Sequence, residues 1–313
     1  MAPSISSTSS PLPDNDYVAK LTEPQQGALK ELKSMLDNAG YSYNSDLVDL
    51  VRFLRARKFD PAGAFTQFTS AADWRADAQI DHLYDTFPLA EFEQGGKLYT
   101  QWTGRVDKNG TPVYVFAINA LTTEGTAEWA QAGQERLEER MVALCEHMEQ
   151  FVLPFCSHLA GHPVTGCVTI ADISGVSLRR FWQLKEHMQR AATLASAHYP
   201  ERLDGMFIVG APSFFSTMFG RVKRYFDPGT VEKIHILPSS PSTIHSSLTQ
   251  QMPASSIPRA YTGELDWTFG DFPALDEAMV AKLGGRTLPP GPVRWNTQRG
   301  RVVVVGEGRG EDS

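Results

Sequence analysis

Four short runs of β-branched and aromatic residues, separated by longer segments with helical spacing, constrain the fold of this chain more than any other feature. The runs are PVYVFAI at residues 112–118, CVTIA at 167–171, GMFIV at 205–209 and KIHIL at 233–237. Strands that alternate with helices are typical of a parallel sheet, because each crossover helix returns the chain to the same end of the sheet. The sequence therefore predicts an α/β domain with a mostly parallel sheet, preceded by a further strand at residues 98–102.

The residues before this region predict a small helical bundle. The spacing of Leu29, Leu32 and Leu36 indicates one helix, and further helices are predicted after Ser45 and after Asp60. We therefore expect four segments: a disordered N-terminal segment (residues 1–21), a helical module (22–78), the α/β domain (79–283) and a flexible C-terminal extension rich in Gly and Pro (284–313).

The charge balance and the cysteines limit the possible classes of function. The chain has 29 Lys and Arg against 36 Asp and Glu, a net charge of −7, which disfavours a nucleic-acid-binding protein because such proteins rely on basic surfaces. Three cysteines are too few for a disulfide scaffold and favour a reducing compartment. No apolar run approaches the roughly 20 residues that a membrane-spanning helix needs. We expect a cytoplasmic monomer that visits membranes without residing in them.

Four motifs follow one another in an order that resembles one known family. They are RFLRARKFD at residues 52–60, DKNGTPVY at 107–114, YPER at 199–202 and DPGTVEKI at 227–234. Together they resemble the CRAL-TRIO family, and most closely its fungal phosphatidylinositol/phosphatidylcholine transfer proteins. The resemblance implies an N-terminal helical bundle and a mostly parallel sheet that floors a hydrophobic lipid pocket, closed by a gating helix. It also implies a carrier with one phospholipid as cargo, no other cofactor and no enzymatic activity.

The resemblance implies a binding site for the phosphatidylinositol headgroup. Thr230 and Lys233 lie three residues apart, so one helical turn would place a hydroxyl and an ammonium on the same side, which suits a phosphodiester. This spacing alone favours a capped surface turn with a solvated lysine, so the assignment follows from the resemblance. The implied headgroup residues are Arg57, Lys58, Glu201, Asp227, Thr230 and Lys233.

A second lipid is implied for the same pocket, at Tyr114, Cys145, Cys167 and Thr169. Cys145 and Thr103 stand where the family has tyrosines, and Cys167 stands where it has a serine. Two lost aromatic rings would weaken cation–π binding of a choline group by about 0.5–2 kcal/mol each. We therefore predict that phosphatidylinositol binding and exchange between membranes persist, and that the second lipid is not phosphatidylcholine. Its identity is left open.

The segment at residues 212–225 is the candidate gate. Its apolar stripe is followed by basic residues, which suits a helix that contacts anionic lipid when it opens, although a core-facing amphipathic helix has the same pattern. The implied gate residues are Phe214, Phe215, Met218, Phe219 and Val222, together with Gly263, which matches a family glycine linked to gate motion. Six apolar strand residues are either pocket walls or ordinary core: Val113, Val115, Val168, Ile170, Phe207 and Val209.

Other functions remain open at this point. The same fold could carry a sterol or another apolar ligand, although the headgroup residues argue against a wholly uncharged cargo. A zinc enzyme could use Cys156, His158 and His162 with His147, but the chain has neither a GxSxG motif nor a P-loop. The expected partners are phosphatidylinositol, the second lipid, a transient membrane surface on the Golgi, endosomes or elsewhere, and lipid kinases to which the lipid is presented.

Overall fold

The computed structural model describes residues 15–43, 47–97, 99–118, 133–223 and 228–306. Its first part is a helical bundle in which the predicted leucines face inward, since Leu32 and Leu36 are fully buried. Phe53 and Phe68 meet edge to face in the same core, with ring centroids 5.1 Å apart. The helices are α1 (Asn15–Ala19), α2 (Glu23–Ala39), α3 (Val48–Ala56), α4 (Pro61–Asp77), α5 (Ile80–Asp85) and α6 (Leu89–Gly96).

The prediction that residues 1–21 are disordered is wrong for residues 15–21. Helix α1 lies there, and Tyr17 and Val18 pack on the bundle next to Leu21, which is 7% exposed. These apolar side chains pack against bundle residues that are distant in the sequence, and the local composition of residues 1–21 does not show such contacts. Residues 1–14 lie outside the described residues.

The second part contains a five-stranded sheet with the order β1-β2-β3-β4-β5. The first strand pairs antiparallel with the second, and the remaining neighbours are parallel, which confirms the predicted fold class. Each predicted run contains a strand, and the first strand extends further along the chain than residues 98–102 suggested. The strands are β1 (Gln101–Val106), β2 (Pro112–Ala117), β3 (Cys167–Asp172), β4 (Leu203–Val209) and β5 (Ile234–Ile236).

One face of the sheet is an ordinary core. It carries the six strand residues that the sequence left open between pocket wall and core, and these pack with Leu248, Ile257 and Trp267 from the C-terminal part of the chain. Their interpretation as pocket walls is therefore wrong. Because side chains alternate along a strand, Tyr114 and Thr169, which are register partners, lie on the opposite face.

Helices cover that opposite face. One of them begins at Gln134 and continues through a π-helical turn (Met148–Val152) into a further helix. The wider turn accommodates Pro154, which has no N–H to donate. The covering helices are α7 (Gln134–His147), α8 (Leu153–Ala160), α9 (Leu178–His198) and α10 (Phe215–Val222). Among the described helices, none is both long enough and apolar enough to cross a bilayer.

The C-terminal part completes the core. It contains α11 (Pro228–Glu232), α12 (Pro241–Gln251), α13 (Glu277–Lys282) and a hairpin of β6 (Val293–Asn296) and β7 (Arg301–Val304). Trp295 of the hairpin is fully buried, and its ring centroid lies 5.0 Å from that of Phe155. The predicted flexible extension is therefore wrong for residues 284–306, because the hairpin packs its apolar side on α8. Residues 307–313 lie outside the described residues.

Candidate functional site

Two predicted headgroup residues form an ion pair where the turn after α9 meets the segment after α11. Lys233 Nζ donates to Glu201 Oε2 at 2.9 Å, and the two side chains are 29% and 22% exposed. The backbone of Glu201 has a φ of +56°, a left-handed conformation that a tight turn imposes. Thr230 lies one turn earlier in α11, and the Lys233 N–H donates to its carbonyl at 3.2 Å. The structure therefore brings the Glu201 and Lys233 side chains together, with the Thr230 backbone in the turn before Lys233.

The end of α3 is attached to the same turn. The buried Arg52 guanidinium donates twice to the carbonyl of Pro200, at 3.1 and 3.0 Å. Arg57 and Lys58 follow at the end of this helix, and both are exposed. Arg57 donates to the adjacent Ala56 carbonyl at 3.1 Å. Among the described contacts neither of these two cations meets Glu201, so their part in a headgroup site stays a prediction.

Two opposed effects act on the Asp204 carboxyl near this turn. The surrounding protein desolvates the Asp204 carboxyl and raises its pKa, while the positive charges of Lys233 and Arg55 oppose that shift. The Lys233 ammonium has three donors, and the described hydrogen bonds use one of them, on Glu201. An incoming phosphate can therefore bind Lys233, and Glu201 can accept ligand hydroxyls. Asp227 lies outside the described residues, so its predicted role is untested.

The four residues of the predicted second-lipid pocket lie close together on the helix-covered face of the sheet. Cys167 Sγ lies 3.9 Å from Thr169 Oγ1, and burial raises the pKa of the Cys167 thiol to about 12. Burial also raises the pKa of the Tyr114 phenol, which interacts with the Cys167 and Cys145 thiols. The cluster is therefore neutral at physiological pH. Thr103 is absent from it, since its hydroxyl donates to the Val113 carbonyl at 3.0 Å.

Helix α10 lies over this same face. Phe215 and Met218 are 5% and 7% exposed and pack in one cluster with Ala171 and Ile208 of the sheet and with Leu184 of α9. Phe214 and Phe219 are partly buried against the same cluster, whereas the side chain of Val222 lies outside the described residues. An apolar helix thus covers the sheet beside the Glu201–Lys233 turn.

Gly263 lies elsewhere. A Cβ atom at this position would come within 2.0 Å of the Ile257 carbonyl oxygen, and Ile257 belongs to the core on the other face of the sheet from α10. Close packing therefore requires a glycine at this position. Its link to gate motion stays a prediction.

A buried ion-pair network, which sequence reasoning missed, joins the helical bundle to the α/β domain. Arg75 pairs with Glu146 at 2.8 Å, and Tyr199 donates to the same carboxylate at 2.7 Å. Burial alone would raise the pKa of Glu146, but Arg75 prevails and holds it below its ordinary value. Arg202 pairs with Glu149 nearby. The available signal was charged residues inside otherwise apolar helical patterns.

The residues suggested as zinc ligands do not lie together in the structure; three of them pack in the core or against aromatic residues, and the fourth is exposed. Cys156 is fully buried in the core, and the His158 ring centroid lies 5.2 Å from that of Trp295. His162 is exposed, and His147 Nδ1 lies 3.2 Å from the Tyr84 hydroxyl. Within the described ranges, no three His, Cys, Asp or Glu side chains are grouped as a metal site requires. The geometry does not support a zinc enzyme.

A helical bundle tied to a mostly parallel sheet, one face of which lies under an apolar helix, defines the class of fold. A family model described as the CRAL/TRIO domain matches residues 94–263, and one described as the CRAL/TRIO N-terminal domain matches residues 28–70. The chain belongs to the CRAL-TRIO family.

Several known proteins are similar to the chain over most of its length. The SEC14 cytosolic factor of Candida glabrata is 35% identical over 242 residues, which cover 77% of this chain and 78% of the relative. The phosphatidylinositol/phosphatidylcholine transfer protein SFH7 of Arabidopsis thaliana is 31% identical over 230 residues, covering 73% of this chain and 41% of the relative. The crystal structure of Sfh5 has a TM-score of 0.59 at 16% identity, covering 84% of this chain and 97% of that one, and supports the fold alone.

Proposed function

We propose that this protein binds phosphatidylinositol and exchanges it between membranes without catalysing a reaction. The observation that carries the proposal is the contact between Glu201 and Lys233, one turn after Thr230 and beside the apolar helix α10. The similarity to the SEC14 cytosolic factors and to SFH7, whose name states phosphatidylinositol/phosphatidylcholine transfer, supports the same conclusion.

The headgroup would bind by exchange of partners. Lys233 would turn from Glu201 to the phosphodiester, and Glu201 would then accept hydrogen bonds from inositol hydroxyls. Arg57 and Lys58, both exposed at the end of α3, would add positive charge and forked donors to the phosphate. The pairing of Lys233 with Glu201 keeps both charges compensated when no lipid is present.

The acyl chains would occupy the space that α10 covers. Its buried residues Phe215 and Met218 hold apolar contacts that acyl chains could replace once the helix moves away. Each methylene that leaves water stabilises the complex by about 0.8 kcal/mol, so two chains would compensate for opening the helix. The proposed gate is therefore α10.

The second cargo would be a lipid without a choline group. Cys145 and Cys167, with Tyr114, surround the place where it would bind, and this cluster offers one aromatic ring and buried neutral thiols. A quaternary ammonium needs several aromatic faces to replace its hydration. Phosphatidylcholine would therefore bind weakly in comparison with phosphatidylinositol.

Membrane contact is supported by the exposed side of α9. Leu178 and Trp182 lie one turn apart and are 45% and 46% exposed. The exposed Arg179 follows in the first turn, where the helix dipole disfavours positive charge, so its side chain suits an external anionic surface better than the helix itself. We extend the proposal to transient binding of Golgi or endosomal membranes and presentation of lipid to kinases.

The test is a vesicle-to-vesicle transfer assay with labelled phosphatidylinositol and labelled phosphatidylcholine. We expect the native protein to transfer the first faster than the second. Thr230→Asp and Lys233→Ala should abolish phosphatidylinositol transfer while the circular dichroism spectrum is unchanged, and Lys282→Ala, an exposed lysine on α13, serves as the matched control. Equal transfer of both lipids would refute the choice of second cargo, and no transfer of phosphatidylinositol would refute the whole proposal.

A further inference from the structure

A cavity of about 320 Å³ lies at the β1 edge of the sheet, between α6, α7 and the segment at residues 270–291. We call it the β1-edge cavity. Its wall is largely aromatic and apolar, with Phe92, Trp102, Tyr114, Leu144 and Phe272 among the lining residues. The volume is at the lower end of the range for small-molecule sites, about 300–1,000 Å³. Phe272 is 62% exposed in the described part of the chain, which is unusual for a phenyl ring.

His147 contributes an imidazole ring to the wall of this cavity, and its neighbours decide which ring nitrogen carries the proton. The Tyr84 hydroxyl lies 2.7 Å from the Val293 carbonyl oxygen and accepts from the Val293 N–H at 3.1 Å. A carbonyl can only accept, so the single hydroxyl proton lies between these two oxygens. The contact of 3.2 Å between Tyr84 and His147 Nδ1 then requires Nδ1 to be the donor.

The other ring nitrogen, Nε2, is left as an acceptor. No residue in the described ranges hydrogen-bonds it, and it is not among the fully buried polar atoms without a partner. His147 lines the cavity, so this accessible lone pair is available there. Phe92 and Phe151 hold the ring, with centroids 5.2 and 5.3 Å from that of His147. The acceptor is therefore fixed in direction.

We propose that the β1-edge cavity is a binding site for a neutral ring compound that bears a hydroxyl, with the hydroxyl donating to Nε2 of His147 and the ring packed between the aromatic walls. Two carboxylates, Glu93 and Asp271, and one ammonium, Lys97, also line the cavity, which disfavours an anionic ligand. Burial lowers the pKa of His147 to about 4, which keeps its acceptor available at physiological pH. The site is separate from the proposed headgroup site, but it shares Tyr114 with the proposed second-lipid pocket. It does not rest on phosphatidylinositol binding.

The test compares 2-naphthol with 2-methylnaphthalene, which has nearly the same shape and no donor, by calorimetric titration of the full chain at pH 7. We expect 2-naphthol to bind about 5-fold more tightly or better, because a buried neutral hydrogen bond contributes on the order of 1 kcal/mol. His147→Phe should remove or reverse this preference while apolar binding persists. Equal affinities in the native protein, or no binding of either probe, would overturn the proposal.

Two further measurements cover the case in which His147→Phe does not fold. In the native protein, the ¹⁵N resonance of His147 Nε2 should shift on addition of 2-naphthol and stay in place on addition of 2-methylnaphthalene. Leu144→Phe, which adds bulk inside the cavity, should weaken both probes at least 10-fold, whereas Ile236→Phe on exposed β5 should weaken neither. Phosphatidylinositol transfer should survive Leu144→Phe, so that failure of this proposal and failure of the proposed function give different results.

Discussion

Arg75 illustrates how differently two carboxylates act on one cation. It pairs with Glu146, which is fully buried, and with Asp81, whose side chain is 61% exposed. Water already screens the charge of Asp81, whereas Glu146 compensates a guanidinium that has little access to water. The same residue thus makes one pair that the fold requires and one that it can lose.

We therefore expect Glu146→Ala to lower the free energy of unfolding by about 3–5 kcal/mol, because it leaves the Arg75 charge buried and unpaired. Asp81→Ala is the control and should lower it by about 0–1 kcal/mol. Urea denaturation followed by circular dichroism measures both. Similar losses in the two variants would show that the burial of the pair does not matter.

His198 predicts a dependence of stability on pH. Its ring stacks on Trp74 with centroids 3.8 Å apart, and burial lowers its pKa from 6.5 to about 4. Between these values the unfolded chain binds a proton that the folded protein does not, so stability falls as pH decreases from about 6.5 to 4. His198→Phe should flatten this part of the curve, and His162→Phe, at an exposed position, should leave it unchanged. Denaturant titrations at several pH values measure the slope, and an unaltered slope in His198→Phe would contradict the assignment.

At the scale of elements, the first turn of α4 depends on one side chain. Asp60 caps this helix, and its carboxylate accepts from the N–H groups of Ala62 and Gly63 at 3.2 Å each. Ser240 stands at the equivalent position of α12 and makes no such bond to the helix backbone. The two helix starts look alike in sequence, since each residue precedes a proline.

We expect Asp60→Ala to destabilise the protein by about 1 kcal/mol, since two backbone donors lose their acceptor. Ser240→Ala should change the free energy of unfolding by less than about 0.5 kcal/mol. Thermal unfolding of both variants at one pH provides the comparison. The cap assignment would be wrong if Ser240→Ala proved the more harmful substitution.

At the scale of the whole molecule, the C-terminal hairpin closes the core next to α8. Trp295→Ala should lower the free energy of unfolding by about 3–5 kcal/mol, because it leaves a cavity beside Phe155 that the surrounding helices cannot fill. Trp182→Ala removes an equal side chain from a position that is 46% exposed and should cost less than about 1 kcal/mol. Urea denaturation measures both, and a small effect of Trp295→Ala would mean that the hairpin is dispensable.

Sequence reasoning was most successful where the information is local. The runs of β-branched and aromatic residues in β2 and β3 and the leucine spacing of α2 identify elements, because these patterns lie in residues that are close together in the sequence. The ordered motifs predicted the family, which the comparisons confirm. They also indicated Glu201 and Lys233, whose side chains are in contact in the structure.

Only the tertiary structure could decide which side of each helix or strand faces the core and which faces another element or solvent. It assigned Val168 and Ile170 to the core and Thr169, which lies between them, to the helix-covered face. It also showed that Trp295, in a segment whose composition suggested disorder, packs against Phe155. Burial and pairing arise from residues distant in the chain, as when Arg75 meets Glu146. The sequence by itself determined the central strands and helices, their order and the family. Long-range packing determined α1, the C-terminal hairpin, the faces, the buried charges and the cavities, because these depend on contacts between residues distant in the chain.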